Sequence, residues 1–112
     1  MEDSILVSIK KLLGIAKEYE NFDQDIIMHI NTVFMVLHQL GVGPADGYMI
    51  ENKDNIWSEF VKDKDNLNAV KSYIHLKVKL IFDPPLNSAV LAALKESINE
   101  LEFRLLVQAE SK

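Results

Sequence analysis

Apolar residues recur along most of this chain in steps of three and four, the repeat of a helix with one buried face. The clearest instance follows Asp23. Ile26, Ile30, Val33, Leu37 and Leu40 form its seam, Ile27 and Phe34 widen it, and Gly41 is placed to close it. Asp23 stands where an N-cap belongs, and Phe22 just before it is placed to pack on Ile27 as a hydrophobic staple. A shorter first helix is predicted from about Ser4 to Leu13, capped by Asp3 or Ser4. Ile5, Ile9, Leu12 and Leu13 supply its buried stripe, and Gly14 ends it. A polar link, Ala16 to Asn21, joins the two. The last helix is predicted from about Ala89 to Ala109, with Asn87 or Ser88 as its cap. Leu91, Leu94, Ile98, Leu101 and Leu105 make its seam, and Glu100 with Arg104 forms a favourably ordered pair one turn apart.

Between these lies a less regular stretch. Gly43-Pro44 and Asp46-Gly47 are turn dipeptides, and Tyr48-Met49-Ile50 has the look of a short extended piece. Asp54 or Asn55 then caps a short helix holding Ile56, Trp57, Phe60 and Val61, with the sole Trp as its anchor to the core. The segment from Leu67 to Phe82 satisfies two patterns. Leu67, Val70, Ile74, Val78 and Ile81 are spaced for a helix, whereas Ile74, Leu76, Val78, Leu80 and Phe82 alternate with His75, Lys77 and Lys79 as in a half-buried strand. Length decides for a helix, capped by Asn66 and stopped by Pro84-Pro85. A helix apolar round so much of its circumference is expected to be covered on several sides.

The fold class that results is all-α: a small bundle of four main helices plus one short helix, with a longer loop between the second and third. The 112 residues are expected to form a single domain, 1–112. A hydrophobic content of 48% with 26% charged residues fits a globular chain able to bury a core. Seventeen acids against twelve bases leave a formal charge of −5, which argues against tight non-specific binding of nucleic acid. The absence of cysteine removes disulfide and thiolate chemistry, and leaves a reducing cytosol mildly favoured. Met1-Glu2-Asp3 is acidic where a signal peptide would be basic. The longest stretch free of Lys, Arg, Asp and Glu, Ile26 to Ala45, is interrupted by polar residues and Gly-Val-Gly-Pro, so no membrane span is expected.

No constellation for catalysis, cofactor or metal emerges. Asp25 and His29 lie one turn apart, but His38 is nine residues on and points roughly the opposite way, so the pair reads as solvated or interfacial. Glu96 and Glu100 read as a solvated helix face beside Lys95 and Arg104. Gly41-Val42-Gly43-Pro44 follows a helix and lacks the Lys-Ser/Thr of a phosphate loop.

Two surpluses remain. Met28, Met35 and Val36 are apolar yet lie off the seam of the second helix. They fit either a helix buried on two sides within one domain or a subunit interface. Residues 66–82 carry bases and no acids, with Lys71, His75, Lys77 and Lys79 among apolar neighbours. These are either solvated cations fringing a core helix or a strip that pairs head to tail with Glu96, Glu100 and Glu102 of a neighbouring copy.

The order of motifs resembles the head–tail connector (adaptor) family of long-tailed bacteriophages and their prophages. The resemblance rests on Ile9-Lys10-Lys11-Leu12-Leu13-Gly14-Ile15, Phe22-Asp23-Gln24-Asp25-Ile26, Leu40 to Pro44, Trp57-Ser58-Glu59-Phe60, and Val70 to Pro85 followed by Asn87-Ser88 and the helix Leu91 to Leu105. It covers nearly the whole chain, though no single motif is diagnostic. It implies a structural virion protein without catalytic residues, made in the host cytoplasm and assembled at the head–tail junction. Implied partners are further copies of itself in a ring, typically dodecameric, the portal protein, and a stopper or tail completion protein, with DNA sliding through the channel unbound. The competing expectation is a small soluble helical interaction module, a regulator or assembly chaperone, that binds through the Met28 and Met35 side.

Overall fold

The computed structural model describes residues 4–61 and 64–110, with side chains from Asn66 onward in the second stretch. Among these residues four helices form, α1 (Ile5–Leu12), α2 (Asp23–Gln39), α3 (Lys64–Phe82) and α4 (Ser88–Glu110), with a 3-10 turn at Trp57–Glu59. Among the described residues no strand forms, and an isolated antiparallel bridge between Ser4 and Ile56 is the nearest approach to one. No helix among these residues is long and apolar enough to cross a membrane.

The helix signals place the elements well and some of their caps poorly. Ser4 caps α1 by accepting from the Val7 amide at 3.2 Å; Asp3, the other candidate, lies outside the described residues. Gly14 and Gly41 supply the left-handed turns after α1 and α2, at φ +82° and +87°. Asn87 caps α4, accepting from the amides of Ala89 and Val90 at 2.8 and 3.1 Å. Asp23, by contrast, is the first residue of α2, and the cap position is taken by Phe22 with no side-chain bond. The Asp23 carboxylate is drawn instead to Lys10, 2.8 Å away. Phe22 packs its ring against Tyr19 and Phe82, at 5.5 and 5.3 Å between centroids. Asn66 lies inside α3, which begins two residues earlier. Neither Asp54 nor Asn55 caps the short turn at Trp57: Glu59 Oε1 accepts from the Ile56 amide, and Asn55 Oδ1 closes the preceding loop on the amides of Glu51 and Asn52.

α3 is the hub. It packs on α1, α2 and α4, as an apolar circumference requires, with Val70, Tyr73, Ile74 and Val78 fully buried. The α2 seam Ile26, Ile30, Val33 and Leu37 and the α4 seam Leu94, Ile98 and Leu105 close on the same cluster. α2 and α4 approach each other where Gly41 meets Ala109; a Cβ on the glycine would sit 3.4 Å from that methyl. The first helix departs from its expected stripe in one respect. Leu6 is buried and Leu12 is 49% exposed, because a buried face centred on Ile5, Leu6 and Ile9 leaves Leu12 at its edge, about 70° round the helix axis.

Trp57 is buried as expected, and its Nε1 donates to Ser8 Oγ at 3.1 Å, tying the turn to α1. The loop before it is irregular but pinned. Asn31 of α2 grips Ile50 from both sides, donating from Nδ2 to its carbonyl at 3.0 Å and accepting its amide at 2.8 Å. Tyr48 stacks edge-on against Phe34, and Phe34 also meets Phe60. Gly43 lets the chain pass that ring, since at φ +96° a Cβ there would reach within 2.5 Å of it.

Candidate functional site

The loop pinned by Asn31 and Tyr48 runs back along the face of α2 that does not meet α3. Between them opens a groove of about 790 Å³. Ile27, Phe34 and Asn31 lie along it, and Met28, Met35, Met49 and Tyr48 form its sides. Gln24, Asp25, His38 and Asp46 give it polar ends. Met28 and Met35 are 58% and 56% exposed, so that side of α2 is not covered by the rest of the chain. Val36 parts company with them: it is half-buried and packs at the edge of the core. The sequence does not single out Met49, which joins the patch only because the loop folds back.

Asp25 and His29 do not act together. Asp25 lines the groove, whereas the His29 ring sits against Phe82, 6.4 Å between centroids. Among the described residues, no group of three or more His, Asp or Glu side chains is arranged to hold a metal. The groove offers apolar surface and a few hydrogen-bonding groups, which suits recognition.

The cationic residues of α3 fall on two sides of the helix. Tyr73 points at α4, where its hydroxyl donates to Glu102 at 2.6 Å, and Lys77 sits one turn on, its Nζ 5.9 Å from the Tyr73 ring centre. Burial, reinforced by the Glu102 carboxylate, pushes the Tyr73 phenol above its ordinary value. Residues two positions apart on a helix are about 200° apart round the axis, so Lys71 and His75 face away from α4. Lys71 lies over the Trp57 ring at 5.3 Å, and Lys79 approaches Asp83 at 3.9 Å. His75, half-buried between them, donates to the Leu12 carbonyl. Burial first and Lys79 second hold it below the usual imidazole value, with the carbonyl opposing.

The three acids on α4 separate in the same way. Glu102 turns inward to Tyr73. Glu96 and Glu100 are exposed, and Glu100 accepts from Arg104 at 2.9 and 3.2 Å. On the side of α4 opposite Leu94, Ile98 and Leu105, Glu96 and Glu100 continue into Phe103, 65% exposed, and Val107. Their spacing off the seam was a readable signal for a second apolar face.

A family model described as phage connector protein matches residues 5–112 of the chain. No curated protein and no solved structure gives a match.

Proposed function

The chain belongs to the phage connector protein family, and from that premise we propose that it is a ring-forming subunit of the head–tail junction. In this reading it docks beneath the portal protein, extends the DNA channel, and receives a stopper or tail completion protein. The observation that carries the proposal is the family match across residues 5–112. Two features of the fold support it. The subunit leaves apolar surface uncovered along α2 and along α4, where a protein that acts alone would face water at a cost. Its formal charge of −5 also suits a channel wall past which DNA slides without sticking. The work is done by packing; no step in it makes or breaks a bond.

The test is genetic. Deleting the gene from a phage that encodes this chain is expected to give filled or empty heads without joined tails, and mass spectrometry of wild-type particles is expected to detect the chain. Tailed particles at normal yield without the protein would end the proposal.

A further inference from the structure

The geometry points to a head-to-tail contact between two copies of this chain, in which the outer face of α4 on one copy docks on the α1–α3 edge of the next. This inference rests on the assembly role proposed above, and it assigns the surfaces.

The two faces match in chemistry. On α4, Glu96 and Glu100 precede the exposed Phe103 and Val107 along a line spanning about 16 Å at 1.5 Å per residue. On the other edge, Lys71 and Lys79 bracket His75 over about 12 Å of α3, with Leu12, 49% exposed, at the end of α1 beside His75. Each face therefore presents apolar surface beside charge mainly of one sign, with Arg104 on the one and Asp83 on the other as the exceptions, and the dominant signs are opposite. Lys77 and Glu102 take no part, since both are engaged where α3 meets α4.

The faces also point in suitable directions. Lys71 and His75 lie on the side of α3 turned from α4, and the α4 line lies on the side turned from α3. The two faces therefore look in roughly opposite directions across the α3–α4 contact. One copy cannot bring its own two faces together. A surface that meets a different surface on the next copy makes a heterologous contact, which closes into a ring where the rotation between copies allows and otherwise runs on as a filament. The local pairs that occupy these charges, the exposed Glu100 with Arg104 and the half-buried Lys79 with the exposed Asp83, are one-turn pairs of small worth and yield readily to a partner.

Charge reversal with rescue tests it in assembled particles, by complementing the deleted phage and measuring the chain incorporated per particle. Lys71→Glu with Lys79→Glu is expected to lower incorporation about tenfold or more, as like charges are brought opposite one another. Adding Glu96→Lys with Glu100→Lys restores the formal charge of −5 and re-pairs the two faces, so incorporation should return. A control that restores the same charge at the exposed Glu18→Lys and Glu20→Lys should not rescue. Thermal unfolding of each variant checks that it folds. Unchanged incorporation of the first variant overturns the contact. Failure of the paired reversal to rescue, or equal rescue by the control, also overturns it. Loss on Glu96→Lys with Glu100→Lys alone, beside full incorporation of the lysine variant, would assign the α4 face to a different protein. Absence of the wild-type chain from particles would remove the connector reading itself, and this contact with it.

Discussion

Lys10 shows how a residue's surroundings can invert its expected place. A lysine in the last turn of a short helix is ordinarily solvated, yet this one is 1% exposed. Its ammonium is satisfied three times over, by the Lys17 carbonyl at 3.1 Å, the Tyr19 carbonyl at 2.6 Å and Asp23 at 2.8 Å. The link between α1 and α2 is thus closed around one buried cation. Lys10→Ala should cost about 3–5 kcal/mol, because it removes the cation paired with the largely buried Asp23 carboxylate and leaves two carbonyls without their donor. Urea unfolding measures this. His75 makes a pH-dependent counterpart. The folded chain holds its proton less tightly than the unfolded chain, burial being the main cause, with Lys79 one turn on adding to it and the Leu12 carbonyl opposing. The unfolded state therefore binds more protons as pH falls through the ordinary histidine value of 6.5. Stability should be full above that pH and decline below it, and His75→Gln should flatten the change between about pH 7.5 and 5.5 in urea midpoints.

At the scale of elements, the seams do most of the work. Leu37 is fully buried on α2 where that helix meets the core, so Leu37→Ala should cost about 2–5 kcal/mol through the cavity it leaves. The same comparison can be made on α3, whose double pattern length resolved in favour of a helix. Its apolar excess is explained by three partners, since a helix covered by α1, α2 and α4 has no wide polar face to spare. Caps were read less well, for a specific reason. A carboxylate before a helix satisfies free amides only when nothing stronger competes, and for Asp23 a buried ammonium does. For the turn at Trp57, Glu59 reaches back to the Ile56 amide and leaves Asn55 to close its own loop.

For the whole molecule, the separation of stability from assembly is the point that experiment can reach. Met28 and Met35 line an open groove and support no core contact that a polar residue would break. Met28→Ser with Met35→Ser should change the unfolding free energy by no more than about 0.5 kcal/mol per site. The same variant should lose incorporation into particles if that groove receives a neighbouring component. Differential scanning calorimetry and particle composition give the two readouts. Equal losses in both would mean that the methionines belong to the fold.

The sequence by itself determined the four helices and most of their buried seams, Leu12 and Ile81 excepted, because each is a periodic, local pattern that reports on one element. It also carried the family resemblance, since that depends on the order of motifs along the chain. What it could not decide was which off-seam residues end up beside which. Met49 joins Met28 only when Asn31 holds the loop against α2, and Lys77 is divided from Lys71 and Lys79 only when α4 takes up one side of α3. Such placements follow from the packing of distant segments, where a rotation about one helix axis sorts residues of the same type into the interior, a groove or an exposed edge.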